Sequence, residues 1–167
     1  MINPIYKNVL VAFILLLVQI LILNNIHFLG KGTPMIYIYI ILSLPKSMSR
    51  IGQLFIAFAL GLLVDVFANT PGMHASATLW LAFLSPHFVK MCMPLNDYDI
   101  EIASVKEFGF MSYLNYVLMG TLLHHTVLMC LEAASIQLWQ VTLERIGLSV
   151  LLTIPFIMII NLLNYSE

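Results

Sequence analysis

Charged side chains are scarce in this chain: only 9% of its 167 residues are Asp, Glu, Lys or Arg, against about a quarter in an ordinary soluble domain. So few charges cannot solvate the surface of a water-soluble globule. The seven Lys and Arg are scattered and the formal net charge is -1, so there is no basic patch of the kind a nucleic acid requires. Cysteine is nearly absent as well. Cys92 and Cys130 fall in different segments and form neither a CxxC pair nor part of a metal cluster; they read as isolated buried or interfacial thiols. Also missing are a GxSxG nucleophile elbow, an HExxH metalloprotease motif and a cluster of acidic metal ligands. Neither an enzyme, nor a metal site, nor a bound cofactor is indicated.

What the chain has in abundance is apolar surface, 61% of residues with a mean hydropathy of +0.98. This predicts an all-α, polytopic membrane helical bundle forming a single integral membrane domain over residues 1–167. The first span covers Asn8 to Leu29, with Gln19 as its only strongly polar interior residue. It is expected to be retained, because its apolar run ends in Asn24-Asn25 without a small-residue cleavage site. A second apolar run, Met35 to Leu44, lies between Pro34 and Pro45; as a helix it would cover only about 15 Å, half of a hydrocarbon core. A third runs from Arg50 to Ala68 and a fourth from Gly72 to Met93, joined by Asn69-Thr70-Pro71, which favours an antiparallel helical hairpin. After a polar stretch, Pro94 to Glu107, a fifth span is expected over Ser112 to Leu131. A sixth follows over Leu143 to Leu163, with a kink at Pro155. Between these two, Glu132 to Gln140 is amphipathic and carries Trp139, the pattern of an interfacial segment.

The expected count is therefore about six transmembrane helices, the second one short. With a cytoplasmic N-terminus, Lys7, Lys46, Arg50, Lys90 and Lys106 lie inside and Lys31 and Arg145 outside. A five-span arrangement with an external N-terminus scores equally, since it only exchanges the sides of Lys7 and Lys31. Six is preferred because Lys46, Ser47, Ser49 and Arg50 have the character of a cytoplasmic turn. Either arrangement puts the Asp65 to His74 turn and the Glu132 to Arg145 stretch outside, and Pro94 to Glu107 in the cytoplasm.

The polar positions within these spans are the candidate functional residues. Ala57, Gly61 and Asp65 recur every four residues and share one helix face, a small-xxx-small seam that lets backbones approach in lipid. Ser112, Tyr116, Gly120 and His124 form a similar stripe on the fifth span, with His125 one step around the helix. A charge at the centre of a membrane helix costs about 2.5 to 3.5 kcal/mol on insertion scales. Asp65, about 21 Å along a helix starting at Ile51, sits instead near the outer interface. Two roles are open to it. It caps the helical corner, accepting bonds from the Asn69 to Met73 turn or the start of the fourth helix, or it pairs with His74, His124 or Arg145 in an outer polar cluster. Adjacent side chains on a helix diverge by about 100°, so His124 and His125 are poorly placed to grip one ion, and they read as core histidines. The ten methionines read as packing. Asp97, Asp99, Glu101 and Glu107 solvate the cytoplasmic loop and give a cytoplasmic partner its best surface.

The stretch Gly61-Leu-Leu-Val-Asp65, the turn Asn-Thr-Pro-Gly72 and the following Met-His74-Ala75 resemble the signature region of the rod shape-determining protein MreD family. The motif covers about fifteen residues, and the size and hydropathy pattern are similar over nearly the whole chain. The resemblance implies an integral component of the bacterial cytoplasmic membrane, with a bundle resembling the substrate-binding component of energy-coupling-factor transporters. It further implies a role in cell shape and peptidoglycan synthesis by binding the single-span protein MreC and linking the filament MreB to the wall synthases. Gly61, Asp65, Gly72 and His74 carry over as signature positions only, because the family is not known as catalytic. The short second run departs from an evenly spaced six-helix pattern. The competing expectation is a substrate-binding subunit of a small-molecule membrane transporter, whose pocket would draw on Asp65, His74, Asn115 and His124.

Overall fold

The computed structural model describes residues 4–26, 28–93, 101–133 and 139–165. All regular structure among them is helical: α1 (Pro4–Leu21), a 3-10 turn (Leu23–Asn25), α2 (Ile38–Leu42), α3 (Arg50–Ala68), α4 (Met73–Cys92), α5 (Val105–Phe108), α6 (Phe110–Ala133) and α7 (Trp139–Tyr165). Four stretches, Lys7–Asn25, Arg50–Ala68, Phe110–Ala133 and Trp139–Asn164, are long and apolar enough to cross a membrane, so the chain is a multi-pass membrane protein. α4, at 20 residues, is as long as the shorter of these, but His74, Ser76, Thr78, Ser85, His87 and Lys90 lower its hydropathy. It occupies the middle of the bundle, packed between α3 and α6, and α6 in turn packs on α7. Large apolar side chains such as Phe13, Phe55, Val66, Trp80 and Leu151 point outward, as expected of surfaces that lipid rather than water covers.

The first span is shorter as a helix than its apolar run. α1 stops at Leu21, where Asn25 Nδ2 bonds the Leu21 carbonyl at 3.3 Å. The expected continuation to Leu29 is replaced by the 3-10 turn and by a tight turn in which Phe28 and Gly32 exchange backbone hydrogen bonds, with Leu29 and Gly30 at positive φ. Lys31, on this turn, pairs with Glu144 near the start of α7. At the other end of α7, Lys7 Nζ donates to the Asn164 carbonyl at 2.9 Å. Lys7 and Lys31 therefore sit at opposite ends of the bundle.

The second apolar run differs most from its sequence-based expectation. Only Ile38–Leu42 is helical, about 7.5 Å of rise, and residues 33–37 are irregular although all are buried. Irregular backbone survives at membrane depth only where protein supplies its hydrogen bonds. Here the donors are met one by one by side chains. Thr33 N–H bonds Ser149 Oγ at 3.0 Å, Met35 N–H bonds Thr153 Oγ1 at 3.0 Å, and Ile36 N–H bonds Gln19 Oε1 at 2.8 Å. Gln19 Nε2 also reaches the Pro34 carbonyl at 3.2 Å. Further along, Leu42 O accepts from Tyr116 Oη at 3.1 Å, and Lys46 N–H from the exit of the segment donates to Glu101 O at 2.9 Å. The segment is thus bonded to α1, α6 and α7, and α2 packs on α4 and α6, with Tyr37 and Ile38 fully buried.

Two features of the remaining helices bear on function. Pro86 lies inside α4 and leaves the Ala82 carbonyl without its helical N–H. Ser85 Oγ (3.1 Å) and Arg50 Nη2 (3.4 Å) take its place. α7 runs as one helix through Pro155. Trp139 and Gln140, expected in an interfacial segment, form the first turn of α7 with Trp139 exposed. The rest of that segment, 134–138, and the loop positions Asp97 and Asp99 lie outside the described residues.

Candidate functional site

The α3–α4 corner brings together five of the residues singled out by sequence, Ala57, Gly61, Asp65, Gly72 and His74. Ala57 and Gly61 face α4, and the approach is closest at Gly61: a Cβ there would stand 2.5 Å from Ala75 Cα and 2.7 Å from Ala75 N, and would overlap Thr78 Oγ1. Only glycine permits this backbone contact. One turn further, α3 ends as Asn69 takes a left-handed conformation (φ 56°), and Thr70 and Gly72 turn the chain into α4. Gly72, at φ 82°, occupies the position before the helix where a capping side chain would stand.

Asp65 supplies that cap from the neighbouring helix. Its carboxylate is 2% exposed. Oδ1 accepts from His74 N–H at 2.9 Å and Oδ2 from Ala75 N–H at 3.0 Å, the second and third residues of α4, whose N–H groups have no partner inside the helix. The negative charge also faces the positive end of the α4 dipole. Oδ1 further accepts from Thr70 Oγ1 at 2.9 Å and lies 3.0 Å from His74 Nδ1, with Thr70 Oγ1 and His74 Nδ1 2.9 Å apart. Since the single hydroxyl proton of Thr70 goes to Asp65, His74 Nδ1 must carry a proton to face the two oxygens. Of the partners expected for Asp65, His74 alone is present. Arg145 is engaged by both carboxylate oxygens of Glu132 at 2.8 Å.

His124 belongs to a second polar group, deeper in the bundle and separated from the corner by Tyr37. The Tyr37 ring is 6.2 Å from that of His74, and its hydroxyl is 2.7 Å from His124 Nε2. His125, at 5.5 Å ring to ring from His124 and nearly perpendicular to it, places Nε2 3.1 Å from Thr153 Oγ1. That hydroxyl donates to Ser149 O at 2.7 Å, so it accepts from His125, whose proton is therefore on Nε2. The Nδ1 atoms of both histidines are buried without a hydrogen-bond partner. Among the described residues, no three His, Cys, Asp or Glu are grouped to hold a metal ion.

The α6 seam faces the central segment. A Cβ on Gly120 would meet Leu42 Cδ2 at 2.8 Å and Leu81 Cδ1 at 3.3 Å, so the missing side chain admits α2. Ser112 is half-buried at the start of the same helix, and Asn115 is exposed, which removes it from any internal pocket. The residues that sequence reasoning passed over are Tyr37, Ser149, Thr153 and Asn161, all fully buried. The last three repeat at multiples of four along α7, a polar stripe visible in the sequence. No family model matches the chain, and no curated protein or solved structure matches it.

Proposed function

We propose that the protein is a non-catalytic membrane scaffold of the bacterial cell-elongation complex, an MreD-like component of the cytoplasmic membrane. It binds an MreC-like membrane protein and through it links an MreB-like filament to the peptidoglycan synthases. One observation carries the proposal: Gly61, Asp65, Gly72 and His74, the positions of the resemblance, all serve the geometry of a single helical corner. The Asp65 carboxylate is saturated by donors within the chain, which suits a rigid docking edge better than a reacting group. The path of the chain supports a six-crossing topology similar to the substrate-binding component of energy-coupling-factor transporters. In it the segment from Gly32 to Lys46, buried throughout its first half, makes the second crossing, and the N-terminus shares the cytoplasmic side with Lys46 and Arg50. Crosslinking in native membranes followed by pull-down is expected to recover an MreC-like single-span protein, and depletion to round rod-shaped cells. Intact rods with a selective nutrient-uptake defect would sink the proposal.

A second reading, a substrate-binding subunit of a small-molecule transporter, is favoured by the two unpaired imidazole nitrogens of His124 and His125. Buried polar atoms without partners are unusual enough to require a reason, and a small polar ligand would supply one. A metabolite that raised the melting temperature of the wild-type protein but not of His125→Phe would decide for this reading.

A further inference from the structure

The two ends of the bundle treat their cations differently. At the end bearing the Asp65 corner, Lys31 is paired with Glu144 and Arg145 with Glu132. At the other end, Lys46, Arg50 and Lys90 line a cavity of about 570 Å³, and none of the three meets a carboxylate among the described residues. Lys46 Nζ reaches only Met93 Sδ, at 3.6 Å, while the nearby Glu101 carboxylate is held by Ser47. Lys90 makes no hydrogen bond or ion pair among the described residues. Arg50 bonds neutral oxygens alone: Gln53 Oε1 at 2.6 Å and the Ala82 and Phe83 carbonyls at 3.4 and 3.0 Å. These contacts fix the guanidinium at the rim and leave two of its five N–H donors unused. The longest of these contacts, to the Ala82 carbonyl, is open because Pro86 leaves that carbonyl without its helical N–H.

Three uncompensated charges around one concavity focus a positive potential that favours an anion. The interior is of opposite character, walled by Leu42, Val89 and Phe108, and its volume falls in the range of about 300 to 1,000 Å³ typical of small-molecule sites. Arg50 opens a 19-residue apolar helix, which places the rim at the level where hydrocarbon gives way to headgroups. A ligand matching both halves has a phosphate at one end and hydrocarbon at the other. We propose that the cavity binds an anionic phospholipid of the surrounding leaflet, its phosphate among Lys46, Arg50 and Lys90 and an acyl chain against Leu42, Val89 and Phe108. Basic pockets between membrane helices hold lipid headgroups by the same physics.

The full chain in neutral detergent would be titrated with dioctanoyl phosphatidic acid, dioctanoyl phosphatidylcholine and inorganic phosphate, following bound lipid by native mass spectrometry and stability by thermal shift. Phosphatidic acid is expected to bind at least about tenfold more tightly than either comparator. K46Q/K90Q is expected to lose about tenfold or more of that affinity, while K31Q/R145Q, which removes the same charge from the opposite end, changes it less than twofold. V89W, which keeps the rim and fills the apolar wall, is expected to weaken phosphatidic acid at least fivefold. Equal binding of phosphatidylcholine would mean non-specific detergent-like adsorption, and equal binding of inorganic phosphate a soluble-anion site; either overturns the proposal. So would wild-type affinity in K46Q/K90Q or in V89W.

Discussion

Asp65 gives the sharpest test of the corner, because its two oxygens have separable duties. Replacing it with alanine removes the acceptor from the N–H groups of His74 and Ala75, from Thr70 Oγ1 and from His74 Nδ1. Thr70 and His74 already lie 2.9 Å apart and can satisfy each other, so the lasting loss is two buried backbone donors. Each unsatisfied donor costs about 1 to 3 kcal/mol, and losing an N-cap costs up to about 2 kcal/mol; together they set the destabilisation of Asp65→Ala at about 2 to 4 kcal/mol. At roughly 2 to 4 °C per kcal/mol for a chain of this size, the melting temperature should fall by roughly 5 to 15 °C. Asp65→Asn keeps one carbonyl oxygen, and Asn caps helices about as well as Asp. It forfeits one of the two backbone bonds and should lose about half as much. Thermal unfolding of the purified protein in detergent measures both. Hydrogen exchange should show the His74 and Ala75 amides opening faster in Asp65→Ala while the middle of α6 is unchanged. If Asp65→Asn proves as damaging as Asp65→Ala, the carboxylate acts through its charge on His74 and the capping account fails. If Asp65→Ala loses less than about 1 kcal/mol, the start of α4 draws its hydrogen bonds from elsewhere.

Gly61→Leu is expected to force α3 and α4 apart, because its side chain meets the Ala75 backbone, which cannot rotate away; a loss above about 3 kcal/mol and reduced recovery of an MreC-like partner should follow. Leu62→Ala, on the exposed face beside it, should stay within about 0.5 kcal/mol, and equal partner recovery by the two variants would refute the seam. Thr153→Val keeps the shape of the side chain but strands Met35 N–H and His125 Nε2, costing about 2 kcal/mol or more; a neutral result in thermal unfolding would mean that the central segment is not held by α7. A cysteine in place of Lys31, with Cys92 and Cys130 replaced by serine, should react with a membrane-impermeant maleimide from outside intact cells. Labelling only after the cells are opened would reverse the assigned orientation.

The α3–α4 corner was legible in the sequence because everything that makes it is local. Gly61, Asp65, the Asn69-to-Gly72 turn and His74 fall within fourteen residues, and the four-residue spacing on one helix already orients the carboxylate toward the next. The same locality misled over the second apolar run, where ten residues with Ser43 as the only non-apolar one read as a helix. What holds that segment irregular is 116 and 118 residues away, in the hydroxyls of Ser149 and Thr153, and no periodicity within the run records it. Arg50 was likewise legible as a topological marker but not as the rim of a cavity, since two of its acceptors, the Ala82 and Phe83 carbonyls, lie on another helix more than thirty residues away.

The distant cause nevertheless left a trace on α7. Ser149, Thr153 and Asn161 lie in the apolar central stretch of α7 and are all fully buried, and each accepts a hydrogen bond from a backbone N–H that no helix satisfies: Thr33, Met35 and Val105. Gln19 of α1 does the same for Ile36. In water such side chains would be unremarkable, because irregular backbone can bond solvent. In lipid they have a stricter meaning, since every N–H outside a helix must find an acceptor within the protein. A stripe of small polar residues along a membrane helix is then the complement of irregular backbone elsewhere in the chain. In this sequence the stripe on α7 and the Pro34-Pro45 bracket around the short run are two halves of one signal. Read together, they call for a buried, broken segment packed against α7, whereas either half alone is compatible with an ordinary helix.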